Sequence, residues 1–337
     1  MSSSISSSEA VGSAAWARWL SAFLGAVALG AALIFALVLA IDPYDSGRVG
    51  ILGIHGVNDA SPRTANASRA RDPQFDSAVI GNSTGQLLKP SELSALTGKS
   101  FVQLTVPGTG PREQLAIMDF FLRQHARPGA LVIVTDASWC QRDAALPMRH
   151  PFPFWLYGDS TVDYVSRLFS TRALRLTLRR LLVGLGLRPR STPDGYWDYE
   201  KDGPAELMPA IGPREDGGLA VTQVSPYFPA VELLDRGIKA LAPNVSVVLL
   251  VPPTFHTDIP RPGTLAAAEE AACRTALQKV VAERPRSNFI NYRLDSALTR
   301  NRANFMDLGH YRAIIARRME QGIAESIKLG DKAQIAF

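Results

Sequence analysis

From Trp19 to Ile41 the chain runs for 23 residues, WLSAFLGAVALGAALIFALVLAI, without one charged side chain. As a helix rising 1.5 Å per residue, that run reaches roughly 34 Å, enough to cross a hydrocarbon core of about 30 Å. A secretory signal sequence is the other reading. Its apolar stretch is shorter, about 7–15 residues, and closes on a small-residue cleavage site. This run is longer and closes on Ile41-Asp42-Pro43, which predicts an uncleaved transmembrane helix over 19–41. Arg18 precedes the span, and Asp42, Asp45 and Arg48 follow it. The preference of basic residues for the cytoplasmic side then places the N-terminus inside and the rest of the chain outside. Residues 1–18 are expected to form a cytoplasmic tail, unstructured over its Ser/Ala-rich first 15 residues.

The rest of the chain reads as one soluble domain with a sizeable core, since 46% of the 337 residues are hydrophobic and only 20% charged. The net charge of +5 is spread along the chain. It does not form the concentrated basic face that nucleic acid requires, so no nucleic-acid partner is expected.

Residues 42–74 read as a connector with little periodicity. From there strands and helices alternate. Phe75–Ile80 is a short apolar run that ends at Gly81, and a short helix is expected over 91–96. SFVQLTV (100–106) is a strand stopped by Pro107-Gly108. A helix over 112–125 precedes the β-branched run ALVIVT (130–135), which suits a strand buried on both faces. The pattern resumes with a helix over 229–241, a strand over 245–251, a helix over 264–284, a strand over 288–292 and a closing helix over 311–329. Such alternation implies βαβ units around a parallel sheet, with chemistry in the loops beyond the carboxyl ends of the strands. Residues 141–225 interrupt the rhythm and read as an insertion within the domain spanning 75–330.

Two short motifs fall where chemistry is expected. Gly81-Asn82-Ser83 ends the first core strand, and Asp307-Leu308-Gly309-His310 precedes the last helix. A serine hydroxyl is a weak nucleophile until a base removes its proton, histidine is the base suited to neutral pH, and an aspartate orients it. The other reading is structural, with Ser83 as a helix cap and His310 as a capping or core residue.

These residues resemble the SGNH (GDSL-like) hydrolase and acyltransferase superfamily. There, a strand ends in Gly-Asp-Ser or a variant, and a late Asp-x-x-His completes the triad. Ser83, Asp307 and His310 match, with Asn82 in place of the usual aspartate. The family's second block supplies a glycine amide to the oxyanion hole, matched by Gly108. The third block, Gly-x-Asn-Asp, is not matched, since Thr135-Asp136-Ala137-Ser138-Trp139 stands there. An ionised Asp136 cannot donate, so the expected oxyanion hole has two donors, the amides of Ser83 and Gly108. An N-terminal anchor followed by a divergent domain is similar to the membrane-bound branch of the superfamily that acts on envelope polysaccharides, including alginate O-acetylation proteins.

The resemblance implies an α/β fold, a three-layer flavodoxin-like parallel sheet with helices on both faces, preceded by one transmembrane helix. It implies a serine esterase or O-acyltransferase in the cytoplasmic membrane, with a periplasmic or otherwise extracytoplasmic domain. A glycan or small acyl ester would be the substrate, and envelope-biosynthesis proteins would be partners. A non-catalytic scaffold of the same fold is the alternative. No cofactor is expected. Nor is a metal, because His55, His125, His150 and His256 lack ligand spacing and two distant cysteines make no zinc site.

Asn82, Asp136, Trp139, His256 and Trp197 are further candidates to line a substrate site. Trp155, Tyr157, Tyr196, Trp197 and Tyr199 are candidates to stack on sugar rings, although packing of the insertion accounts for them equally. Cys140 and Cys273 form either a disulfide or two buried thiols. The interleaved arginines and leucines of 167–182 suit a solvated helix face or, alternatively, a helix resting on lipid headgroups. Arg112 is a carboxylate-binding candidate or an ordinary surface residue.

Overall fold

A computed structural model describes residues 7–201 and 224–330. Residues 1–6 of the expected tail and 202–223 of the expected insertion lie outside the described residues. In chain order the elements are α1 (Ser7–Ile41), α2 (Pro62–Ala70), β1 (Ser77–Ile80), α3 (Pro90–Thr97), β2 (Phe101–Gln103) and α4 (Pro111–Gln124). Then come β3 (Ala130–Val134), α5 (Phe154–Tyr157), α6 (Thr161–Arg167), α7 (Thr171–Gly184) and α8 (Pro229–Lys239). The series ends with β4 (Ser246–Val251), α9 (Leu265–Ala282), β5 (Ser287–Asn291), α10 (Ala297–Arg300) and α11 (Ala313–Leu329).

The chain divides into two compact units, residues 1–57 with 160–189, and 58–159 with 190–337. Residues 160–189, within the stretch expected to be an insertion, group with the N-terminal helix.

In the first unit, Ala15–Ile41 of α1 is long and apolar enough to cross a membrane and is largely exposed. The helix begins at Ser7, so part of the tail expected to lack structure is helical. Its C-terminal end is held by Arg180, which is buried and not on a solvated face as the spacing of arginines suggested. The Arg180 guanidinium donates to the carbonyls of Ile41, Asp42 and Ile54 and to the Asp45 carboxylate at 2.6 Å. Those carbonyls include ones that a helix end leaves without partners, and a cation there also complements the helix dipole. The Tyr164 hydroxyl donates to the Asp42 carboxylate. The basic stretch is thus two helices, α6 and α7, joined by a corner at 168–170.

The second unit holds a five-stranded, all-parallel sheet in the order β2-β1-β3-β4-β5. The strands read as unbroken apolar runs, SAVI, ALVIV and SVVLLV, because both faces are covered. α3 and α11 pack on one face, while α4, α8 and α9 pack on the other. Val79, Val132, Val134, Val248 and Leu250 point from the sheet into the first of these layers, against Ile315, Met319 and Ile323 of α11. This is the expected three-layer α/β arrangement. The outer edge of β2 is closed by the loop before Gly195, where the amide of Gln103 donates to Asp194 O at 2.7 Å.

Candidate functional site

The site begins where β1 runs out. At Gly81 a Cβ would stand 2.8 Å from Cβ of Val134, so only glycine lets the chain turn this close to β3. Asn82 follows in an extended conformation. Its Oδ1 accepts from the amide of Thr84 at 3.0 Å and caps the short 3₁₀ turn Ser83–Gly85. Capping is therefore done by Asn82, which leaves the Ser83 hydroxyl for another partner.

That partner is His310, whose Nε2 lies 2.9 Å from Ser83 Oγ. On its far side, Nδ1 is 2.9 Å from both carboxylate oxygens of Asp307. Asp307 is fixed in turn by the amides of Gly309 and His310, each donating to Oδ1 at 2.8 Å. Partial burial raises the Asp307 carboxyl, but the hydrogen bond and charge of His310 and the two amides outweigh it and hold the group below its usual range. The segment around His310 is a small closed loop, with Met306 N donating to His310 O and Phe255 N to Leu308 O, both at 2.8 Å. The Tyr311 hydroxyl donates to the carbonyl of Thr84, tying this loop to the serine turn. The Tyr199 ring stands edge-on to the imidazole at 6.1 Å.

Gly108 lies in a turn closed by Thr109 N to Val106 O at 3.3 Å. Its φ of +69° is open to glycine at no cost, and a Cβ would meet the His150 ring at 2.8 Å. The Arg63 guanidinium donates to Pro107 O at 2.8 Å, so Arg63 and His150 flank the glycine that the family's second block would supply. Among the described residues, neither the Ser83 nor the Gly108 amide donates a hydrogen bond within the protein. Asn82 does not replace the absent third-block donor, because its Nδ2 donates to Asp136 at 2.5 Å and to Thr109 O at 3.4 Å. Both Asp136 oxygens are engaged, Oδ2 by Asn82 and Oδ1 by the amide and the hydroxyl of Ser138 at 2.9 and 2.5 Å.

Beside the serine turn lies a cleft of about 400 Å³, lined among others by Thr84, Asp136, Glu269, Arg274, Arg293 and Gly309. Arg293 is braced against Asp258 at 2.8 Å and Glu270 at 3.2 Å, a charged group set in a lining that is otherwise largely apolar, with Val251, Pro252, Ala266 and Leu277. Cys140 lines the same cleft and is joined to Cys273 of α9 by a disulfide, with Cα atoms 5.5 Å apart.

Of the other predicted site residues, Trp139 belongs to the core, with 1% exposure and its indole donating to Gln114 Oε1 at 3.1 Å. Its place in the turn after β3 points the ring inward, so it does not line the cleft. His256 packs its ring 4.6 Å from Phe255 and also stays out of the cleft lining. Trp197 is exposed, set edge-on to Tyr199 at 6.2 Å, and so stands one ring away from His310. Tyr157 is buried against Phe120 and Phe152, which accounts for its place in the aromatic stretch by packing alone. Arg112 lies over the Phe154 ring.

Two residues that build the site escaped the sequence reading. Gln103, buried in β2, donates through Nε2 to the carbonyls of Gln86 and Leu88 at 2.8 Å and of Gly85 at 3.3 Å, holding the chain just after the Ser83 turn. A glutamine inside the apolar run SFVQLTV was the available signal. Tyr311 had no signal beyond its position next to His310. Neither a family model nor a curated protein matches this chain.

Proposed function

We propose that this protein is a membrane-anchored serine esterase or O-acyltransferase acting on ester groups of an envelope glycan. The observation that carries the proposal is the continuous relay from Ser83 Oγ through His310 to Asp307, each link at 2.9 Å. Ser83 Oγ attacks the ester carbonyl as its proton passes to His310 Nε2. Asp307 holds the imidazole by Nδ1 and stabilises the imidazolium. The amides of Ser83 and Gly108 receive the oxyanion, a contribution of several kcal/mol in comparable sites. When the tetrahedral species collapses, the ester C–O bond breaks and the leaving alcohol takes the proton from Nε2. Water or a sugar hydroxyl then resolves the acyl-enzyme by the same steps in reverse, and the triad serves either acceptor.

The reading includes α1 as a crossing helix of the cytoplasmic membrane and the sheet unit on its outer side. The Cys140–Cys273 disulfide supports that side, because such bonds persist in oxidising compartments. The second reading, a scaffold that binds polysaccharide or an envelope-biosynthesis partner without turnover, draws on Asn82, whose side-chain amide is committed to Asp136 and Thr109 O and offers no third donor to an oxyanion.

Labelling the full-length protein in detergent with a fluorophosphonate separates the two. The acyl-transfer reading expects the wild type to label and Ser83→Ala to stay blank with its thermal transition unchanged. Equal labelling of both, or of neither, would favour the scaffold.

A further inference from the structure

Within the first unit, α7 presents three distinct faces. At 100° per residue, Ala173, Leu176, Thr177 and Arg180 form its buried face. Leu174, Leu178 and Leu181, continued by Leu185 just past the helix end, fall within about 60° of one another on a second face. Arg172, Arg175 and Arg179 make the third. The leucine stripe is not covered, since Leu178 is 52% and Leu185 62% exposed. Ile51, Leu52 and Leu187 of the same unit are exposed as well.

A second observation fixes where this surface stands. In the corner between α6 and α7, the Phe169 ring is 73% exposed, yet it stacks on Phe35 of α1 at 3.9 Å and 15°. Phe35 precedes Ile41 by six residues, which is about 9 Å back along the apolar helix. The corner therefore lies alongside the apolar segment, not beyond its end. Resting on the reading of α1 as a crossing helix, this brings Phe169 to the depth of the acyl boundary.

We infer that α6 and α7 form a second membrane contact, lying in the headgroup–acyl boundary of the bilayer that α1 crosses, with the leucine stripe immersed and the arginines on anionic headgroups. An uncovered leucine row is costly in water and favourable about 5–10 Å into a bilayer interface, while arginine stems reach up to the phosphates. The unit is then a crossing helix and an interfacial helix pinned together by Arg180, which limits the tilt and rotation of α1.

The two native cysteines are joined to each other, so one introduced cysteine can be labelled selectively in the full-length protein. Leu178→Cys and Leu185→Cys report on the stripe, Leu29→Cys on α1, and Leu294→Cys on exposed surface of the sheet unit. Each carries an environment-sensitive fluorophore in vesicles of mixed zwitterionic and anionic lipid. Positions 178 and 185 are expected to be quenched by shallow lipid-borne nitroxide roughly threefold more than position 294, and to be protected from aqueous iodide. Arg175→Glu with Arg179→Glu should reduce that quenching, as should omission of the anionic lipid. If position 29 is lipid-quenched while 178 and 185 are as open to iodide as 294, the interfacial contact is wrong and the anchor stands. If position 29 is not lipid-quenched, the anchor fails and the inference with it. Shielding of 178 and 185 from both quenchers would mean that protein, such as a second copy of the chain, covers the stripe, and would overturn the inference.

Discussion

Ser83 owes its availability to a neighbour, since Asn82 takes over the capping of the Ser83–Gly85 turn and leaves the hydroxyl facing His310. The serine, the histidine and the aspartate were all legible in the sequence, because each sits at a strand end or a helix entry where the pattern directs attention. Position after a strand does not say which way a ring turns: Trp139 is buried in the core, and His256 packs on Phe255. Glu320 gave no sequence signal at all. It is buried on α11, accepts the Lys89 amide at 2.6 Å at the start of α3, and pairs with Arg317 at 2.8 Å. Burial dominates and raises its carboxyl from 4.5 to about 7 against the pull of that amide and of Arg317. In the unfolded chain it ionises near 4.5, so its stabilising contribution is full below that pH and is lost as pH rises to about 7. A rise from 4.5 to about 7 corresponds to on the order of 3 kcal/mol. Glu320→Gln keeps an acceptor for the Lys89 amide but does not titrate. The stability of wild type relative to Glu320→Gln should therefore fall between pH 4.5 and 7.5 in denaturant titrations, and a constant difference would contradict this.

β3 and β4 announced themselves because strands covered on both faces carry continuous β-branched runs, and α4 and α11 did so through helical spacing of apolar residues. α2 escaped notice. Its sequence PRTANASRA buries Ala65, Asn66, Ala67 and Ala70, small and polar residues that leave no apolar stripe to read. The burial of Arg180 was equally hidden, because its acidic partner, Asp45, lies 135 residues upstream. The disulfide joins the turn Ala137–Cys140, after β3, to α9, and so ties together two walls of the cleft. Its closed loop spans 133 positions, for which chain entropy gives a stabilisation of about 5 kcal/mol, with measured losses usually 2–5. Cys140→Ala with Cys273→Ala should lower the denaturation midpoint substantially. In the protein that remains folded, KM for an ester should rise more than kcat falls. Unchanged KM would mean that the cleft walls keep their spacing without the bond.

The division into two units places the long apolar helix and the Ser83–His310–Asp307 relay in separate bodies, each with its own polar anchor, Arg180 in one and the Asn82–Asp136 pair in the other. Sequence alternation could not reveal this, because residues 160–189 join the N-terminal helix across more than a hundred positions. The proposed orientation has a direct readout in a bacterial host. Alkaline phosphatase fused after Phe337 should be active, and a reporter that fluoresces only in the cytoplasm should be dark in the same place. The opposite pair of results would put the sheet unit inside the cell.

Ser83 and His310 stand 227 residues apart in the chain. On the proposed orientation and acyl-transfer function, synthesis and export therefore deliver the nucleophile well before its base. Until the segment bearing Asp307 and His310 has followed through the translocation channel and closed against the serine turn, the hydroxyl lacks the group that removes its proton. On the proposed function, activity would thereby be timed to the completion of export.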